Sequence, residues 1–181
     1  NITSFPAIAD QVATSTVGLA ATASSGLAVE FAVGSGPAAI SGGTNLTFTG
    51  AGTVSIVASQ PGNATYAPAA NLTNSFNVTK ATGVVSLNNL SQTYDGTARI
   101  VTATTTPTGL TVSITYNGSG TAPTNAGSYT VSGTINDAIY QGFASDSLVV
   151  SKGAATVTLG SLTQTYDGTP KSATATTVPV G

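Results

Sequence analysis

Few side chains in this 181-residue chain are able to perform chemistry, and those few are far apart. His and Cys are absent, so the sequence has neither the usual base of a nucleophilic triad nor a thiolate for a metal site. No two of the six acidic residues lie within five positions of each other: Asp10, Glu30, Asp95, Asp137, Asp146 and Asp167. Since Ca²⁺ needs about six to eight oxygen ligands, we expect no metal site. The alternative is a calcium site at a domain junction that includes Asp137.

The lysines do not provide a catalytic base either. A serine–lysine pairing would need Lys80, Lys152 or Lys171 inside a pocket. Lys80 and Lys152 follow predicted strands, where solvated lysine is expected, and this position also argues against an intramolecular isopeptide bond. Glu30 is the only glutamate and has no evident partner for acid–base work. We therefore predict that the chain is not an enzyme and needs no cofactor.

Two of the acidic residues belong to a motif that the chain repeats. Thr93-Tyr94-Asp95-Gly96-Thr97 returns 72 residues later as Thr165-Tyr166-Asp167-Gly168-Thr169. Asp and Gly both favour turns, so Asp95-Gly96 and Asp167-Gly168 are predicted to be turns rather than ligand sites. The equivalent placement of Tyr94 and Tyr166 favours a structural role, in which each ring covers the edge of its domain beside the turn. Stacking on a ligand is the alternative.

The repetition extends well beyond this motif. Further positions match in the same register, ending with Pro107 and Gly109, which return as Pro179 and Gly181. A fixed period of this size is typical of a tandem array. Because the chain has no Met and stops inside the second copy, we expect it to be a window on a longer protein. Either the continuation of the same chain or a neighbouring molecule would complete that copy.

The composition excludes two classes of partner. Charged residues make up 6% of the chain and the net charge is −2, so no basic patch is available to replace phosphate counterions, and we predict no nucleic acid partner. Apolar residues alternate with Thr and Ser, and no run approaches the ~20 apolar residues that span a bilayer. We therefore predict no membrane span. Surfaces solvated by Thr, Ser, Asn and Gly suit long secreted β-proteins.

The elements that position these residues are predicted to be short β-strands. Apolar and hydroxyl side chains alternate with period two, which gives a strand one apolar face, in 27–33, 54–58, 110–116 and 129–135. No stretch has a convincing helical period. Frequent Gly, Asn and Asp turn signals between the strands indicate an all-β fold of the sandwich type, with about seven strands in the first domain and five in the second.

Domain boundaries are predicted from two strands that end in lysine. Lys80 and Lys152 each close a predicted last strand, and the next strand starts after a few small residues. The predicted domains are 1–80, 81–152 and a truncated copy at 153–181. Linkers this short favour a stiff array over a flexible string.

Both kinds of segment resemble known families. Segment 2–79 is similar to bacterial immunoglobulin-like repeats through Ala23-Ser24-Ser25-Gly26-Leu27-Ala28-Val29, Gly50-Ala51-Gly52-Thr53-Val54, and Gln60-Pro61-Gly62-Asn63 with Tyr66. Segments 83–152 and 155–181 resemble the MBG domains of large, often adhesin-like, bacterial surface proteins. The residues that carry this likeness are Thr93–Thr97, Tyr116-Asn117-Gly118, Thr124–Tyr129, and Ile135-Asn136-Asp137 with Tyr140.

The resemblance implies tandem Ig-like β-sandwich domains in an elongated array, with the second repeat a five-stranded Ig-like or a β-grasp-like unit. It implies a structural repeat segment of a long secreted bacterial surface protein, extracellular or on the cell surface, that forms a stalk or filament by end-to-end stacking. The expected partners are neighbouring copies or further repeats. The alternative is an adhesin module that binds a glycan or a cell-surface protein through loops such as Gln60–Ala69 in the first domain.

Overall fold

All regular elements within residues 1–178 are β-strands. The computed structural model describes residues 1–178, so the repeated positions Pro179 and Gly181 lie outside the described residues. The described part contains no helix, which removes the β-grasp alternative, because that fold needs a helix against its sheet. It accordingly contains no helix long and apolar enough to cross a bilayer.

Residues 1–80, called the N-terminal unit below, contain nine strands: β1 (Ile2–Ser4), β2 (Gln11–Val12), β3 (Thr16–Gly18), β4 (Thr22–Ala23), β5 (Glu30–Ser35), β6 (Ala38–Ser41), β7 (Asn45–Phe48), β8 (Gly52–Ser59) and β9 (Leu72–Thr79). A four-stranded sheet has the order β2-β9-β8-β5, a three-stranded sheet the order β3-β7-β6, and β1 pairs with β4. The strands are antiparallel except that β2 runs parallel to β9.

The two larger sheets of the N-terminal unit share one hydrophobic core. Alternation on β8 turns Val54 and Ile56 inward, where both are fully buried. From the opposite sheet, Leu46 and Phe48 on β7 pack against them. The Phe48 ring meets Phe76 of β9 edge to face, with centroids 6.0 Å apart. The unit is therefore a β-sandwich built on period-two alternation, as the sequence predicts.

Residues 81–152, the middle unit, contain eight strands: β10 (Ala81–Thr82), β11 (Val84–Asn88), β12 (Ser91–Thr93), β13 (Thr102–Thr106), β14 (Val112–Tyr116), β15 (Gly127–Ile135), β16 (Tyr140–Gln141) and β17 (Phe143–Ser151). Five of them have five or more residues. The antiparallel pair β11–β13 covers a four-stranded sheet of order β12-β17-β15-β14, and β10 pairs with β16. The pairs β12–β17 and β10–β16 are parallel.

The core of the middle unit lies between this pair and this sheet. Leu148 of β17 and Val131 of β15 are fully buried there, and Leu87 packs against the cluster from β11. Gly133 leaves room for the close approach of the two layers, because a Cβ there would stand 3.0 Å from the Leu87 side chain and 3.2 Å from the Val112 side chain. A larger residue would make these two side chains shift by a few tenths of an ångström.

A buried tyrosine ties a loop to this core. Val101 donates its backbone N–H to the Tyr116 hydroxyl at 2.9 Å, and the two residues are 2% and 6% exposed. Tyr116→Phe leaves that N–H without its acceptor and is expected to destabilise the middle unit by about 1–3 kcal/mol in urea unfolding. The control is Tyr129→Phe, whose hydroxyl donates to the exposed Asn125 carbonyl at 3.0 Å. Equal losses in the two variants would contradict this account.

The described part of the third segment, 153–178, is a single hairpin. Its strands β18 (Thr156–Gly160) and β19 (Thr174–Val178) pair in the register of β11 and β13: Val157 lies opposite Thr177 as Val85 lies opposite Thr105. The environment differs, since Val157 is 64% exposed whereas Val85 is 8% exposed. The hairpin thus takes the shape of the first half of a repeat, with the apolar face that the middle unit buries left in solvent.

Candidate functional site

The Asp95-Gly96 pair forms a turn held by the aspartate side chain. The Asp95 Oδ1 atom accepts the Thr97 backbone N–H at 2.9 Å and the Thr97 hydroxyl at 2.7 Å. The Arg99 guanidinium also donates to this carboxylate, and it donates to the Thr93 carbonyl at 3.0 Å. Gly96 adopts a φ of 83°, which glycine takes without strain. Within residues 1–178, each hydrogen bond that this carboxylate accepts comes from the turn itself or from Arg99 beside it.

The Asp167-Gly168 pair forms the same turn in the second copy. The Asp167 Oδ1 atom accepts the Thr169 backbone N–H at 3.0 Å and the Thr169 hydroxyl at 2.6 Å. Lys171 takes the place of Arg99 as the cation beside the carboxylate. Gly168 has a φ of 81°. The cation four residues after the aspartate is thus a part of the motif that the sequence analysis missed, although the matching Arg99 and Lys171 were a visible signal.

These contacts predict how the Asp95 turn responds to pH. The Arg99 hydrogen bond, followed by those from Thr97, lowers the pKa of Asp95 from 3.8 to about 2. Because the pKa in the folded state is lowered, the stabilisation of the turn is fully present above pH 3.8 and is lost as the pH falls through about 2. We expect an NMR titration midpoint of Asp95 near 2 that rises towards 3.8 in Arg99→Gln.

Lys171→Gln is the matched control for this titration. The hydrogen bond from Lys171 is the largest cause of the lowered pKa of Asp167. This variant should therefore raise the pKa of Asp167 and leave the titration midpoint of Asp95 unchanged. An Asp95 midpoint that is the same with and without Arg99 would show that the guanidinium does not hold the turn.

The two tyrosines of the motif differ in exposure. Tyr94 is 42% exposed and donates its backbone N–H to the Ser151 carbonyl at 2.8 Å, at the end of the middle unit. A Cβ at Gly153 would stand 3.0 Å from the Tyr94 carbonyl oxygen, so Tyr94 lies where the third segment begins. Tyr166 is 91% exposed. A role for these rings in covering a domain edge therefore stays a prediction.

Lys80 is less exposed than the sequence led us to expect. Its Nζ atom donates to the Asp137 backbone carbonyl at 2.5 Å and is partly buried, because the loop between β15 and β17 folds back over the end of β9. Lys152, the equivalent residue at the next predicted junction, is exposed. The partner of Lys80 lies 57 residues away, and no local pattern of the sequence pointed to it.

Asp137 shapes the loop that Lys80 reaches. We call residues 136–141 the Asp137 loop. The Asp137 Oδ1 atom accepts the backbone N–H groups of Ile139 and Tyr140, each at 2.8 Å, and these bonds are the main cause of its lowered pKa. Within residues 1–178 no three His, Cys, Asp or Glu side chains gather as metal ligands. The geometry thus assigns Asp137 to capping a turn.

The Asp137 loop is also the contact between the two units. Ala51 of the N-terminal unit donates its backbone N–H to the Ala138 carbonyl at 3.3 Å, and Ile139 packs against the N-terminal core. The start of the middle unit joins the same loop, since Ala81 donates its N–H to the Ile139 carbonyl at 2.8 Å. A hydrogen bond from each side and an apolar side chain in the middle make this a docked junction.

Comparison with known proteins supports the repeat assignment. A family model described as "MBG domain" matches residues 81–154 and 155–181. Among solved structures, the crystal structure of the titin domains z1z2 in complex with telethonin is similar at 16% identity, over 85% of this chain and 97% of that chain, with a TM-score of 0.30. No curated protein matches the chain.

Proposed function

We propose that this chain is a structural repeat segment whose β-sandwich units stack end to end. The premise is that the chain belongs to the MBG domain family. In the fuller form of the proposal, the segment is part of a stalk or extracellular filament of a large secreted bacterial surface protein. Its partners are then further repeats of the same chain or neighbouring copies.

The observation that carries this proposal is the docked junction between the N-terminal and middle units. Strand β9 ends at Thr79 and β10 begins at Ala81, so a single residue, Lys80, separates them. That residue is itself bonded to the Asp137 loop, and Ile139 of the loop packs on the neighbouring core. A one-residue linker held from both sides leaves little hinge freedom, and this favours a stacked array.

The uncharged hydrogen bonds on the outer faces of the sheets support the extracellular location in this proposal. Uncharged cross-strand hydrogen bonds link neighbouring strands: the hydroxyls of Ser128 and Ser147 pair at 2.9 Å and those of Ser35 and Ser55 at 2.9 Å, and the Thr53 hydroxyl donates to the Asn77 amide oxygen at 3.0 Å. Salt screens ion pairs at a surface, but it leaves uncharged hydrogen bonds largely unaffected. Such a surface suits a protein that meets changing ionic strength in its surroundings.

A disulfide across the junction tests the stacking. A Cβ built at Gly50 stands 3.7 Å from the Ala138 Cβ, within the range of about 3.5–4.5 Å that a disulfide needs. The chain has no native Cys, so a Gly50→Cys/Ala138→Cys protein carries only the designed pair. We expect mild oxidation to remove both free thiols without changing the small-angle scattering profile.

The control pair is Ser24→Cys/Ala138→Cys. Ser24 accepts a hydrogen bond from the amino terminus and follows β4, which pairs with β1 rather than with the strands that end at the junction. Its thiols should stay free under the same conditions. If the Gly50→Cys/Ala138→Cys thiols also stay free, or if oxidation changes the scattering profile, the units are not docked in solution and the stacking proposal fails.

One observation favours a second candidate, an adhesin module. Tyr66 is 48% exposed on the Gln60–Ala69 loop, and an exposed aromatic ring on a loop is suited to stacking on a sugar. A glycan array and a cell-binding assay with the full chain test this function. Binding that Tyr66→Ala abolishes would support it, and silence in both assays would remove it.

A further inference from the structure

Two loops of the molecule contain the same kind of turn, in which one side-chain oxygen accepts two backbone N–H groups. The Asn63 loop, defined as residues 60–69, joins β8 to β9, and the Asp137 loop joins the corresponding strands β15 and β17. The Asn63 Oδ1 atom accepts the backbone N–H groups of Thr65 and Tyr66 at 2.8 and 2.9 Å. These are the counterparts of the two bonds that Asp137 receives from Ile139 and Tyr140. Each unit therefore carries the same turn on the same connection.

The docked residues of one turn have exposed counterparts in the other. By position after the capping residue, Ala64 corresponds to Ala138 and Thr65 to Ile139. Ala138 accepts a hydrogen bond from the N-terminal unit while staying exposed, and Ile139 is half-buried against that unit. Ala64 and Thr65 are both exposed to solvent. The Asn63 loop thus presents the same capped backbone turn that the Asp137 loop uses for docking, with Thr65 in the place of the apolar Ile139.

The Asn63 loop is held in shape before any partner binds. Gly62 has a φ of 80°, and a Cβ there would stand 2.4 Å from the Tyr66 carbonyl oxygen. Asn63 donates its backbone N–H to that same carbonyl at 2.8 Å. Ala69 donates to the carbonyl of the buried Gln60 at 3.0 Å, which closes the base of the loop. A loop fixed in this way binds with little loss of conformational entropy.

We propose that the Asn63 loop is the docking surface for a preceding repeat of the MBG type, a proposal that rests on the stacking function above. The occupant is the end of such a repeat that carries the turn before its long central strand. In the N-terminal unit this turn is Gly50-Ala51-Gly52, and Gly52 lies opposite Val78. In the middle unit it is Asn125-Ala126-Gly127, and Gly127 lies opposite Val150.

The middle unit provides a partner of known sequence for the test. A copy of residues 81–152 fused before Asn1 of the full chain puts Lys152 of the copy directly ahead of the N-terminal unit, as Lys80 stands directly ahead of the middle unit. Asn125 of the copy then takes the place of Gly50. The designed pair is Asn125→Cys in the copy with Ala64→Cys, the counterpart of Gly50→Cys with Ala138→Cys.

The measurement is a titration of free thiols after mild oxidation of the fusion. It is repeated with Asn63 variants of the same fusion. We expect the designed pair to lose both thiols. Asn63→Ala should abolish that loss, because the turn loses its cap. Asn63→Asp should retain it, since Asp137 performs the same capping in the docked loop. Circular dichroism of each variant establishes that the sheets are intact.

The outcomes separate this inference from the function on which it rests. Thiols that stay free in the Asn125→Cys/Ala64→Cys fusion, while Gly50→Cys/Ala138→Cys oxidises, overturn the docking role of the Asn63 loop alone. Thiols that stay free in both pairs overturn the stacking function as well. If the Asn125→Cys/Ala64→Cys fusion loses the same number of free thiols with and without Asn63→Ala, the capped turn is not needed for docking. That result would also overturn the inference.

Discussion

Replacing Ile139 with Asp is expected to release the middle unit from the N-terminal unit while both stay folded. Ile139 is partly buried against the N-terminal core, so the loss of apolar contact costs about 1 kcal/mol. A carboxylate at the same place must also be desolvated without a partner, which costs several times more. Together these effects, about 4 kcal/mol, lower the equilibrium constant for docking by roughly a thousandfold. Small-angle scattering should then report a wider distribution of distances.

Ile100→Asp is the matched control for this substitution. Ile100 is 60% exposed, so a carboxylate there stays in water and the scattering profile should not change. Separate NMR signals for β8 and β15 report whether each unit remains folded. A scattering profile of Ile139→Asp that superimposes on that of the unsubstituted chain would mean that the contact does not set the angle between the units.

Replacing Leu148 with Ala is expected to remove much of the stability of the middle unit. Leu148 is fully buried at the centre of its core, between Val131 and Val150. Deleting three carbons there leaves a cavity, and such changes cost about 2–5 kcal/mol. Domains are typically stable by only about 5–15 kcal/mol, and this unit has no disulfide to compensate. The measurement is urea unfolding followed through the amide signals of β15.

The neighbouring residue supplies the control. Val149 lies on the same strand but points to the other face and is 47% exposed. Val149→Ala should therefore change the free energy of unfolding by much less than Leu148→Ala. Similar losses in the two variants would contradict the assignment of the core to one face of β17.

The strands of this chain could be predicted because their signal is local. Alternation between 110 and 116 corresponds to β14, and that between 54 and 58 lies within β8, with the apolar residues inward as expected. The prediction failed at 27–29, since β5 begins only at Glu30. The neighbouring Gly26 has a positive φ, so the chain is still turning there and Leu27 is not in a strand.

The contacts that make the candidate site could not be predicted in this way. Lys80 bonds to the backbone of Asp137, and the Tyr116 hydroxyl receives the N–H of Val101. The two residues of each pair are far apart in the sequence. Period-two alternation predicts which residues face inward, but it does not predict which distant residues come into contact. Only the aspartate with its cation four residues later had a local signature, and the repeat displayed it twice.

The parallel pairs at the ends of the middle unit determine how it bears tension. Strand β12 lies beside the last strand, β17, and both run in the same direction, with Ser91 opposite Val149 and Thr93 opposite Ser151. If the two ends of the unit are pulled apart, β12 and β17 slide along each other, so their hydrogen bonds are loaded together in shear. An antiparallel pair at the same place would open one bond at a time, as a zipper does. The parallel pair therefore needs a larger force to separate than an antiparallel pair of the same length would.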